Sequence, residues 1–163
     1  MGYFSGFSPR PFLFRRMPQV KKSVLVEYSS AEMFALVDKV EDYPKFLPWC
    51  GGANLIERTD LITLATIKID YHGVHQSFTT RNRKEAPEWM HIELQEGPFL
   101  HLTGHLHFKP LGEHACKVEF QLEYEFSSKI LQKLIGPVFS YIANTFVEAF
   151  VVRAQACYGP RNA

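Results

Sequence analysis

The residues of this chain that could do chemistry fall into three groups. The first is Tyr43-Pro44-Lys45-Phe46-Leu47-Pro48-Trp49-Cys50, where aromatics and prolines crowd together outside any helix or strand period. Loops beside the open end of a pocket carry function more often than packing does. Trp49 offers a flat apolar face and one N–H donor, which suits a ring bearing a carbonyl. A plug of Tyr43, Phe46 and Trp49 at one end of a sheet is the competing reading, and both stay open. The second group is Arg81 and Arg153, whose guanidinium forks could hold a carbonyl or a phosphate head group beside an apolar pocket. The alternative is an exposed ion pair of Arg153 with Glu148 or another acid, which contributes little. The third is the histidines. His101, His105 and His107 share one face of a strand, with His75 and His91 on neighbouring strands, but no further ligand stands at a diagnostic spacing. A solvated polar face is expected there, not a metal.

Nucleophilic chemistry has less support. There is no G-x-S-x-G and no glycine-rich phosphate loop. Cys50, Cys116 and Cys157 are odd in number, far apart and without metal spacing, which reads as reduced thiols in a cytosolic protein. Cys116 and Cys157 are expected on buried faces, where thiols are inert.

The elements that must position these groups follow from periodicity. The segment 127–158 opens on Ser127 or Ser128, carries Ile130, Leu134, Val138, Ile142, Phe146 and Ala149 at helical spacing, and stops before Gly159-Pro160. From Leu134 to Val147 it holds no charge, so it is expected to be buried across a sheet. Gly136-Pro137, Asn144, Glu148 and Arg153 argue against a membrane span. Upstream, residues 19–28 alternate as a strand, and Ser29 or Ser30 caps a short helix over 31–40. Pro44 and Pro48 then limit the chain to a one-turn helix and a tight loop. Strands are expected at 54–58, 62–71, 74–83, 89–95, 100–109 and 116–126. Val74, Gln76, Phe78 and Thr80 should share one face, as should Leu100, Leu102, Leu106 and Phe108. The last strand is the clearest, with Cys116, Val118, Phe120, Leu122, Tyr124 and Phe126 inward. Alternation of this kind means antiparallel strands with one wet face. The result is an α+β fold: about seven strands in a curved antiparallel sheet around a long C-terminal helix. One helix does not fill such a sheet, and the remaining space forms a pocket.

The chain has 163 residues, 46% of them hydrophobic, 21% charged and fourteen of them phenylalanine, which bounds it to one globular domain with a large apolar interior. Residues 1–16 read as a loosely ordered basic and aromatic extension, or as an anchor at a membrane surface. Residues 17–160 read as a single ligand-binding domain. Residues 1–26 hold Arg10, Arg15, Arg16, Lys21 and Lys22 and no acid, so the body is mildly acidic within a net charge of +1. This balance argues against broad electrostatic binding of nucleic acid by the domain, and no DNA partner is expected, while the basic N-terminus could still touch phosphates or anionic lipid. Secretion is not expected, since no apolar signal core is present.

Five segments together resemble one family: the opening Met17-Pro18-Gln19-Val20 with its valine-rich strand, residues 43–50, Phe78-Thr79-Thr80-Arg81-Asn82, Gly97-Pro98-Phe99, and residues 147–154. The chain is similar, from about Met17 to Tyr158, to the coenzyme Q-binding, START-like group, which includes the RatA-type ribosome association toxins and relatives of polyketide cyclases. The resemblance implies a helix-grip fold with a hydrophobic tunnel. In one branch it implies a ubiquinone-like isoprenoid quinone as bound ligand, no further cofactor, and a chaperone role in respiration. In the other it implies binding of the large ribosomal subunit and a block on subunit association. Tyr43, Phe46, Leu47, Trp49, Phe78, Arg81, Met90, Leu102, Phe120, Ile142, Phe146, Phe150 and Arg153 are the expected lining of the tunnel. Residues 10–22 and Arg81-Asn82-Arg83-Lys84 are the expected ribosome contacts. The expected location is the cytoplasm, with peripheral contact at the inner face of the membrane left open. A cyclase or dehydratase activity is a third reading that rests on fold and pocket alone.

Overall fold

A computed structural model describes residues 18–161, so the expectations for residues 1–16 lie outside the described part. The alternating valines form β1 (Gln19–Val26). Ser29 then opens α1 (Ser30–Asp38) with a capping box: its hydroxyl accepts from Glu32 N at 3.1 Å, and its own N–H donates to the Glu32 carboxylate at 2.9 Å. A 3-10 helix, Val40–Lys45, accommodates Pro44. Six strands follow in a meander: β2 (Cys50–Arg58), β3 (Ile62–Tyr71), β4 (Val74–Glu85), β5 (Trp89–Glu96), β6 (Phe99–Pro110) and β7 (Cys116–Phe126). The last element, α2 (Lys129–Tyr158), is capped by Ser128, whose side chain accepts from Leu131 N at 3.1 Å.

The seven strands form one antiparallel sheet in the order β1-β7-β6-β5-β4-β3-β2. Only β1 leaves sequence order, pairing with β7 from Gln19↔Glu123 to Val26↔Cys116. The inner face of the sheet and the buried stripe of α2 enclose the core. This is the expected helix-grip, α+β arrangement. By length and composition alone α2 could cross a bilayer; its seat on the sheet buries one stripe of it, while Ile130, Leu134, Tyr141 and Val152 stay exposed.

Four expectations need correction. The stripe that α2 buries is Ile135, Phe139, Ile142, Ala143, Val147, Phe150 and Ala154, whereas Ile130 and Leu134 are exposed. A helix apolar nearly all round gives periodicity no means of choosing its inner face. Leu100 also points outward, because the β6–β7 register shifts between Phe99 and His101 while Leu102, Leu106 and Phe108 stay inside. Strand β2 starts at Cys50, four residues before Asn54: the glycines read as a loop are absorbed by a bulge between Cys50 and Gly52. Cys157 is exposed, while Cys50 and Cys116 are buried.

The end of α2 is fastened to the start of α1. Tyr28 Oη donates to Gly159 O at 2.7 Å and Tyr158 Oη to Glu32 O at 3.1 Å. The Arg161 guanidinium grips both Glu32 oxygens at 2.7 and 2.9 Å, with its Cζ 4.8 Å from the Tyr28 ring centroid.

Candidate functional site

The 3-10 helix, α2 and β7 bring six of the expected lining residues together. The Tyr43 ring lies 5.3 Å from Phe150 and 6.1 Å from Phe46, and Phe46 lies 5.1 Å from Phe150, all edge-on. Phe146 connects this group to the sheet, at 4.8 Å from Phe150 and 5.3 Å from Phe120. Tyr43 Oη donates to Val37 O at 2.6 Å, and burial pushes its pKa far above the ordinary phenol value. The Arg153 guanidinium covers the Phe46 ring at 4.9 Å and reaches Asp42 Oδ2 at 4.0 Å. Glu148 pairs instead with Lys22, at 3.9 Å.

Between these rings and the sheet lies a cavity of about 10 Å³, lined by Met33, Val37, Leu106, Val118 and the inner faces of Phe146, Val147 and Phe150. That is room for about one water. The grip is filled at this point by its own aromatic side chains.

The other expected residues are dispersed. Leu47 and Trp49 are buried at the junction of the 3-10 helix with β2, where Leu47 N donates to Tyr43 O at 2.9 Å and Asp70 N to Trp49 O at 2.9 Å. Phe78 belongs to a second aromatic group, 5.9 Å from Phe99 and 6.2 Å from Phe139. Met90, Leu102 and Ile142 are core residues. Arg81 is exposed on the outer face of β4, away from the grip. Of the four residues read as one basic contact segment, only Arg81 and Arg83 face outward: strand parity buries Asn82 and Lys84.

Those inward residues belong to a charged cluster that the sequence reading did not find. Lys84 Nζ donates to Asp38 Oδ2 at 2.9 Å, and Thr63 Oγ1 donates to Asp38 Oδ1 at 2.7 Å. Arg58 Nε lies 3.3 Å from the same carboxylate, while its Nη atoms donate to Glu41 at 2.9 and 2.8 Å. The Arg58 guanidinium holds the Glu41 carboxyl down to about 2. Asn82 Oδ1 is buried beside this cluster's strand positions and has no hydrogen-bond partner among the described residues. The cluster lines a cleft of about 670 Å³ floored by Phe34 and rimmed by Thr59, Asp60 and Leu61. The signal was present: Lys84 and Thr63 share the parity of Phe78 and Ala65, and a lysine at an inward position demands a buried acid.

A seven-stranded antiparallel sheet gripping one long helix defines a class. The chain belongs to the family described as polyketide cyclase / dehydrase and lipid transport, which it matches over residues 26–151. Within that class it is 39% identical over 145 residues to the ribosome association toxin RatA of Escherichia coli K12, across 89% of this chain and 92% of that protein. It is 24% identical over 143 residues to the mitochondrial coenzyme Q-binding protein COQ10 of Drosophila melanogaster, across 85% of this chain and 59% of that one. Among solved structures it resembles the Zhui aromatase/cyclase of Streptomyces sp. R1128, with a TM-score of 0.75 and 13% identity over 86% of this chain and 94% of that one. That last likeness is one of fold alone.

Proposed function

We propose that this chain works by docking on the large ribosomal subunit and blocking subunit association, as a cytoplasmic, non-catalytic factor of the RatA type. The observation that carries this reading is 39% identity to a ribosome association toxin along nearly the whole of both chains. The cavity of about 10 Å³ beside Phe146 and Phe150 fits this reading, since it leaves no room for a ligand without side-chain movement. The test is sucrose-gradient sedimentation of purified protein with dissociated ribosomal subunits at low salt. Co-migration with large subunits, and loss of reassociated ribosomes as protein is added, is the expected result. Protein remaining at the top of the gradient overturns the reading.

A quinone-binding role, as a chaperone supporting respiration, is the second reading, favoured by the similarity to COQ10. Ligand pockets are typically about 300–1,000 Å³, so Phe146 and Phe150 would have to turn aside to admit an isoprenoid. Solvent extraction and mass spectrometry of protein from a quinone-rich bacterium tests this. A stoichiometric quinone supports it, and protein free of isoprenoid removes it.

A further inference from the structure

The outer face of the sheet carries an ordered array of side chains. Strand registers place Lys21, Gln121, His105, His91 and Arg83 in one row across β1, β7, β6, β5 and β4. Neighbouring strands lie about 4.8 Å apart, so the row is about 19 Å long. Beside it runs Ser23, Glu119, His107, Trp89 and Glu85, and beyond that the pair Lys117–Lys109. On the opposite side Gln19, Glu123, Thr103, Glu93 and Arg81 form a row with two acids and one base. Lys21, Arg83, Lys117 and Lys109 outweigh Glu119 and Glu85 on one half of the face, while Glu123 and Glu93 outweigh Arg81 on the other, so a polyanion is favoured on the first.

The centre of that half is a hollow of about 410 Å³ lined by Lys21, His105, His107, Glu119 and Gln121. The Trp89 and His105 rings are within 21° of parallel with centroids 6.5 Å apart, and His91 lies 6.1 Å from His105. Partial burial, with His91 and His107 adjacent, holds His105 below the ordinary histidine value. Glu119 is occupied by Lys117 at 3.4 Å and His107 at 3.3 Å. Lys21 and Arg83, at the two ends of the row, form no ion pair with another described residue.

Unpaired bases stack on planar side chains displayed on a sheet, while flanking cations take the phosphates. We propose that this row binds an unpaired RNA segment, with Trp89 and His105 as the stacking platform and Lys21 and Arg83 as the phosphate contacts. The choice of RNA over other polyanions rests on the ribosome-docking reading. A protein partner fits less well, because a centre of imidazoles and one indole flanked by cations matches no apolar interface core.

The test uses the full chain with two readouts: fluorescence anisotropy with a short labelled single-stranded RNA, and sedimentation with large subunits. Lys21→Glu/Arg83→Glu should weaken both about tenfold and lower the salt slope by about 1.4, the loss of two phosphate contacts. Lys133→Glu, an exposed charge on α2, should leave both unchanged. RNA should also quench tryptophan emission in the parent and not in Trp89→Phe, because Trp49 is only 3% exposed. Sedimentation with large subunits unaffected by the double reversal overturns the proposal and leaves the ribosome reading intact. RNA binding through the row without sedimentation upholds the surface and overturns the ribosome reading. No RNA binding by the parent overturns the proposal.

Discussion

Lys84 Nζ lies 2.9 Å from Asp38 Oδ2, with 5% of the lysine side chain and 16% of the aspartate side chain exposed. Removing one partner of a buried pair costs about 3–5 kcal/mol. Here Arg58 and Thr63 still hold the carboxylate, so Lys84→Met should cost about 2 kcal/mol, below that range. Urea unfolding measures it. Adding Asp38→Asn should recover part of the loss, since Thr63 can still donate to the amide oxygen.

The Glu32–Arg161 clasp and the Glu41–Arg58 pair make stability depend on pH on the acid side. Arg161 first, with help from Ser29, holds the Glu32 carboxyl down to about 2, and Arg58 does the same for Glu41. Folded values below the ordinary 4.5 mean stabilisation that is complete above pH 4.5 and is lost as pH falls toward 2. Melting temperature plotted against pH should fall through that window. Glu32→Gln and Glu41→Gln should each flatten the slope there while lowering the plateau at neutral pH.

The filled grip predicts the cost of opening it. Phe150 is 2% exposed and packs on Tyr43, Phe46 and Phe146. Phe150→Ala should destabilise by about 3–5 kcal/mol in chemical denaturation. The same variant bears on the quinone reading, because retention of quinone that rises with the enlarged space would place that ligand in the grip.

Thiol reactivity should separate the cysteines. Burial raises both Cys50 and Cys116, the latter to about 11, while Cys157 is exposed. A thiol reagent at neutral pH should label one group per folded chain quickly and the other two only on unfolding. Mass mapping should assign the fast site to Cys157.

Gly97 joins β5 to β6 at φ 154°, and a Cβ there would meet Phe78 Cβ at 2.6 Å. Gly97→Ala should cost about 1–3 kcal/mol, because the backbone or the Phe78 ring group must shift. Thermal melting checks this.

The fold was legible because strand alternation in residues 116–126 and the capping serines are local signals. The site was less so. Tyr43, Phe46, Phe146, Phe150 and Arg153 do converge, yet sequence could not tell a lined pocket from a filled one, since that depends on how rings from three elements interlock. The face of α2 was unreadable for a related reason: Ile130 and Leu134 are as apolar as Ile135 and Phe139. The Asp38–Lys84 pair bridges a helix end and a distant strand, so only parity at Lys84 pointed to it. The outer-face row is invisible in sequence order, because its members come from five strands and adjoin only through register.

Gln19 donates to Glu123, 104 positions away, within the one strand pair that departs from sequence order. During synthesis β1 therefore emerges first and has no partner until β7 follows. Until then its free edge is exposed beside a meander that can already form, and non-local closure of this kind slows folding. Lys21 and Lys22 keep that waiting edge soluble. The sheet is therefore completed only once β7 has been made, and every strand of the meander precedes the step that gives β1 its partner.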